Sequence, residues 1–148
     1  NKYQSVNFLI DESGSIGAAN FNLTLKFLEE YVNITNDDDS LMSIHFYDAA
    51  FDPYLSYNNT KAQLITGLKT KTYRAGGTYT GKGIKSAVDR IITSNLDSGV
   101  SKILIVITDG QSYDQVAASA NYARSQKITV IAIGVGPGVN DTQMLEIA

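Results

Sequence analysis

The chain predicts an α/β fold of three layers, doubly wound, with a mostly parallel central sheet and one antiparallel edge strand. Three observations carry that expectation. Short apolar runs at 6–10, 103–107 and 128–135 read as strands, the first with the character of one buried on both faces. Between them lie stretches whose apolar residues recur at helical spacing. The two kinds of segment alternate, which implies parallel pairing through right-handed crossovers and helices on both faces of the sheet.

Each element has its own signal. The first run, 6–10, is closed by Asp11-Glu12-Ser13-Gly14. Phe21, Leu25, Leu28 and Val32 mark an amphipathic helix over about 18–35, which the acidic stretch 36–40 ends. Residues 41–47 read as the second strand. A third, 51–57, follows so closely that only an antiparallel hairpin joins them, and Pro53 places it at an edge. A short helix fits 61–69, and a polar, glycine-bearing segment runs from 70 to 83. Ile84, Ala87, Val88, Ile91 and Ile92 form the clearest helical stripe in the chain. Residues 103–107 suit a central parallel strand. Val116, Ala120 and Ala123 mark another helix, and the strand 128–135 closes with Gly134, Gly136, Pro137 and Gly138.

Bulk properties narrow the function. A length of 148 residues suits one domain, 1–148, with a full core. A formal net charge of -3 argues against nucleic-acid binding. No apolar run approaches the roughly 20 residues of a membrane helix, so direct insertion is not expected. Cysteine is absent, which removes disulfides, thiolate catalysis and Cys-based zinc sites. Sequons at Asn22, Asn33, Asn58 and Asn140 point to a secreted glycoprotein.

In a fold of this class ligands sit outside the carboxyl ends of the strands. Those ends carry Asp11, Asp48 and Asp109. Asp11, Ser13 and Ser15 alternate, so a tight loop can turn three oxygens towards one point. Thr108-Asp109-Gly110 ends the 103–107 strand and brings a second carboxylate to the neighbouring crevice. Between them in sequence lies Gly76-Gly77-Thr78-Tyr79-Thr80-Gly81, whose glycines let backbone approach closely. The donors, Asp11, Ser13, Ser15, Thr78 and Asp109, are all oxygen. Such a set suits one hard divalent cation, Mg²⁺ first, with Mn²⁺ or Ca²⁺ as alternatives. Two carboxylates only just neutralise that charge, so a cation held there would accept an anionic oxygen from outside.

In order and spacing these three motifs resemble the metal-ion-dependent adhesion site of the von Willebrand factor type A domain, and the resemblance spans nearly the whole chain. It implies direct coordination by Ser13 and Ser15, a Thr78 hydroxyl engaged in the ligand-competent state, and Asp11 and Asp109 acting largely through water. An Asp or Glu carboxylate of a protein or extracellular-matrix partner would complete the shell. The motif also puts Tyr79 and Tyr113 on the metal face, where amphipathic aromatics serve as contact residues. Glu12, pointed away from the Asp11–Ser13–Ser15 set by alternation, is expected on the rim beside them. The resemblance implies an extracellular or cell-surface location. Two departures stand out: family members usually run on for one more edge strand and a C-terminal helix, and the loop after Val135 is short.

The competing readings are enzymes. Gly76 to Gly81 followed by Lys82 nearly makes a phosphate-binding loop, but Gly83 stands where Ser or Thr must hold Mg²⁺. A haloacid-dehalogenase-like phosphatase would need an acid at Ser13. His45, the only histidine, lies mid-strand away from the serines, which removes a Ser-His-Asp set and suits a packed structural residue. The expectation is therefore a non-enzymatic, cation-dependent adhesion module, with a structural matrix module as the alternative.

Overall fold

The computed structural model describes residues 4–35, 40–49 and 54–148. Four strands, β1 (Gln4–Asp11), β2 (Ser40–Tyr47), β3 (Ser101–Thr108) and β4 (Ile128–Gly134), form one sheet in the order β2-β1-β3-β4, and every pair is parallel. The helices are α1 (Ala18–Ile34), α2 (Lys61–Thr70), α3 (Thr80–Thr93), α4 (Ala117–Ser125) and α5 (Asp141–Ile147).

Alternation along the central strands divides the core into two. On one face Val6, Phe8 and Ile10 of β1 pack with Phe21, Leu25, Leu28 and Val32 of α1 and with Leu64 and Leu68 of α2. On the other, Leu9, Leu104 and Val106 pack with Ile84, Val88 and Ile91 of α3, with Ala123 of α4 and with Ile147 of α5. The helical stripes read from the sequence are the buried faces, except that Ile92 at the end of the α3 stripe is exposed, and the three-layer parallel architecture is the one expected.

Three boundaries differ. The antiparallel edge strand is reduced, among the described residues, to one bridge in which Ile44 and Leu55 exchange N–H···O bonds of 2.9 and 2.8 Å. Residues 51–53 of that expectation, Pro53 included, lie outside the described residues, as do 36–39 of the acidic stretch. Helix α3 begins at Thr80, inside the segment expected to be loop. Its glycines are there for close packing: a Cβ on Gly83 would meet the Tyr47 ring at 2.8 Å. Helix α5 begins at Asp141, where the Asn140 side chain accepts from the Gln143 N–H at 3.2 Å.

The order of strands locates the crevice. From β1 the chain winds outward to β2, then returns across it to β3 and continues to β4. The winding reverses between β1 and β3, and the loops leaving their carboxyl ends diverge there.

Candidate metal and ligand site

Asp11, the last residue of β1, is buried, and both its oxygens are held. Oδ1 accepts from the Ser13 N–H at 2.8 Å, and Oδ2 accepts from the Thr108 hydroxyl of β3 at 2.7 Å. The first bond turns the chain tightly; the second ties together the two strand ends that flank the switch point. The loop after Asp11 is then fixed by a neighbour. Gly14 N–H donates to Gly76 O at 2.8 Å and Ala75 N–H to Glu12 O at 3.0 Å, so segment 74–76 runs beside 12–14 as a short parallel pair. Gly76 is needed for this, since a Cβ there would lie 2.3 Å from the Asp48 carboxylate. Tyr73 adds a brace: its hydroxyl donates to Ser13 O at 2.5 Å and accepts from Gly17 N–H at 3.1 Å.

The hydroxyls converge. Ser13 Oγ lies 3.1 Å from Ser15 Oγ, and Ser15 Oγ lies 3.4 Å from Thr78 Oγ1. Asp109, one residue beyond β3, is 3% exposed. Its Oδ1 accepts from the Gln111 N–H at 3.0 Å, while its buried Oδ2 has no hydrogen-bond partner. The Asp109 charge is felt at Asp11, whose carboxyl is pushed above the ordinary range mainly by burial and secondarily by Asp109; hydrogen bonds from Ser13 and Thr108 oppose the shift. Two buried acids thus stand at the ends of the paired strands β1 and β3, and three hydroxyls cluster in the loops beside Asp11.

That donor set fits a hard divalent cation. A buried carboxylate oxygen without a partner is costly unless something positive meets it. Among the described residues no three His, Cys, Asp or Glu side chains gather into a metal cluster. The candidate site would rest on two carboxylates with hydroxyls for the remainder.

The flanking residues divide. Tyr113 is 77% exposed, and its ring meets that of half-buried Tyr79 edge-on at 5.9 Å. Glu12 corrects the expectation of a rim residue: it is 0% exposed, and its Oε1 pairs with Lys71 Nζ at 2.7 Å. It presents no surface to a partner. Asp48, at the end of β2, is buried against Gly76 and pairs with Arg74 at 3.5 Å. His45 is buried mid-strand in β2. Sequence reasoning missed Thr108 and Tyr73 as supports of the loop. Thr108 was in view beside Asp109, but only the pairing of β1 with β3 reveals its bond to Asp11.

Comparison with known proteins identifies the family of the fold. The family model of the von Willebrand factor type A domain matches residues 5–148. The chain is 34% identical to cochlin of Bos taurus over 139 residues, 90% of the chain and 25% of cochlin. It is 34% identical to the human (Homo sapiens) collagen alpha-1(XXI) chain over 149 residues, 95% of the chain and 15% of that protein. Vitrin of Mus musculus is 30% identical over 144 residues, 92% of the chain and 21% of vitrin. The chain therefore spans a quarter or less of these relatives. Proximal thread matrix protein 1 from the mussel byssus superposes with a TM-score of 0.85 at 25% identity, covering 100% of this chain and 42% of that one. A further structure of the same protein, at TM-score 0.84 and 25% identity over 100% of this chain and 42% of that one, has a zinc-occupied MIDAS motif. Manganese-loaded TRAP protein of Plasmodium vivax, at TM-score 0.71 and 22% identity over 98% of this chain and 62% of that one, shares the fold. The cochlin, collagen and vitrin relatives are extracellular-matrix proteins, and this chain takes the same extracellular location. No helix among the described residues is long and apolar enough to cross a membrane.

Proposed function

The chain belongs to the von Willebrand factor type A domain family, and on that premise we propose that it is a non-enzymatic module that binds a protein or matrix partner through one divalent cation. Asp11, Ser13, Ser15, Thr78 and Asp109 would hold the cation, with Mg²⁺ the expected ion. The cation supplies an electrophilic acceptor for an external Asp or Glu carboxylate. This chain's own residues do the rest: Asp11 and Asp109 provide the charge, Thr108 and the Ser13 N–H orient Asp11, and Tyr79 and Tyr113 offer apolar contact beside the opening.

The observation that carries this reading is the buried Asp109 Oδ2 with no hydrogen-bond partner, beside a second buried acid and three clustered hydroxyls. Desolvating an acid beside another acid is unfavourable without a counter-charge, and hydroxyls without further carboxylates suit a hard ion left short of negative donors. The test is Mg²⁺ and Mn²⁺ calorimetry beside thermal melts. Asp11→Ala should abolish cation binding while the domain stays folded, because the change removes a buried acid whose charge burial already disfavours and leaves the apolar core intact. A folded Asp11→Ala variant with undiminished cation affinity would refute the site. A structural matrix role is the second reading, favoured by the likeness to a byssal thread matrix protein, and assembly insensitive to chelator would support it.

A further inference from the structure

Helix α3 starts without help from its own flank. Tyr79, at the position preceding the helix, makes no side-chain cap. Its first N–H groups are taken up instead by the connection between β3 and α4. Ser112 Oγ accepts from Thr80 N–H at 3.0 Å, Asp114 Oδ1 from Gly81 N–H at 2.9 Å, and Asp114 Oδ2 from Lys82 N–H at 2.9 Å. The Ser112 hydroxyl donates in turn to Asp114 Oδ1 at 2.5 Å. Just upstream of the helix, Tyr113 N–H donates to Thr78 O at 2.8 Å. Gly81 makes the approach feasible, since a Cβ there would lie 2.3 Å from Gln115 O. Helix α5 holds the same connection from its far side: Gln143 Oε1 accepts from Ser112 N–H at 2.9 Å, and Gln143 Nε2 donates to Ser112 O at 3.2 Å.

A carboxylate at a helix N-terminus gains from the helix dipole and from charge-assisted hydrogen bonds. A residue next to the helix could supply the same stabilisation. What only a cap from another loop does is fix two loops against each other, and here the loops are those of Thr78 and Asp109. We infer that Asp114 is a positioning residue of the cation site: by capping α3 from the β3–α4 connection it sets where the Thr78 hydroxyl stands relative to Asp109. The inference rests on the reading of Asp11, Ser13, Ser15, Thr78 and Asp109 as a cation site.

The experiment is a double-mutant cycle read by Mn²⁺ calorimetry, with a thermal melt on every variant: wild type, Thr78→Ala, Asp114→Ala and the double variant. If Asp114 acts through Thr78, Asp114→Ala loses Mn²⁺ affinity as Thr78→Ala does. Losses of about tenfold are usual for residues that support a metal's ligands. The double variant should then stay within about twofold of Thr78→Ala alone, because the two changes remove one contribution. Asp114→Asn keeps one acceptor oxygen and should fall between; it carries the same cycle if Asp114→Ala does not fold. Full Mn²⁺ affinity in a folded Asp114→Ala variant, or losses that add in the double variant, would overturn the positioning role and leave the cation site standing. Wild-type protein that gives no Mn²⁺ binding would overturn the cation site, and this role with it.

Discussion

Burial sets the chemistry of two ionisable side chains in opposite ways. Asp11 is pushed above the ordinary carboxylate range by burial, so its charged form costs more in the folded state than in the unfolded chain. His45 moves the other way: burial first, and the Arg90 charge second, lower it to about 3. Its hydrogen bonds define the neutral ring. Ser43 Oγ already donates to Asn7 Oδ1 at 2.5 Å, so it accepts from His45 Nε2–H at 2.8 Å, and Nδ1 is left to accept from Arg90 at 3.2 Å. Because the folded value lies below the ordinary one of about 6.5, the unfolded chain takes the proton first as pH falls. Stability from neutral His45 is therefore complete above about 6.5 and is lost progressively towards about 3. His45→Gln keeps a donor for Ser43 and an acceptor for Arg90. In urea titrations it should flatten the loss of stability between about pH 6.5 and 4.5; a slope equal to wild type would assign that titration to other groups. Glu12 shows the limit of reading single residues. Alternation along the loop turns it away from Asp11, but away from one cluster is not towards water, and Lys71, which covers it, lies 59 residues further along.

Among elements, glycine is where local sequence misleads. Gly81 and Gly83 read as loop residues, and yet they sit in the first turns of α3. There the helix presses against the fully buried Tyr47 ring, whose hydroxyl bonds Thr80 Oγ1 at 2.7 Å. The helical stripe from Ile84 onwards was legible because burial demands it; the start was not, because the groups that satisfy it come from Ser112 and Asp114, about thirty residues on. The packing gives a direct expectation. Gly83→Ala would put a Cβ 2.8 Å from the Tyr47 ring, which cannot retreat, and should cost about 1–3 kcal/mol in denaturant unfolding. Gly99→Ala, where a Cβ meets nothing within 4 Å, is the control and should be close to neutral. A Gly83→Ala variant as stable as the control would mean that Tyr47 is less tightly held than its contacts imply.

For the whole molecule, the alternation of strands and helices points to the crevice at the carboxyl ends of the strands as the place for a ligand. Motifs at 11–15, 76–81 and 108–110 are distant in sequence, but β1 and β3 are paired neighbours at the reversal of winding, and the 74–76 segment is tied to the β1 loop. The partner follows from the charge of that site. With two carboxylates and otherwise neutral hydroxyls, a divalent cation bound there would accept one more anionic oxygen, which under the proposed function an exposed Asp or Glu of a protein partner would supply. Thr78→Ala should then weaken partner binding more than cation binding, since this hydroxyl matters most with the anion engaged. Tyr79→Ala and Tyr113→Ala should leave the cation alone and each weaken the partner, by about 1–2 kcal/mol if their edge-on pair anchors the contact. The measurement is surface binding to extracellular-matrix extracts in Mg²⁺, in chelator, and with these three variants. Binding that survives both chelator and Thr78→Ala would remove the cation from recognition and put the structural matrix role first. Binding lost to chelator but indifferent to both tyrosines would keep the cation and move the partner's footprint off the aromatic rim.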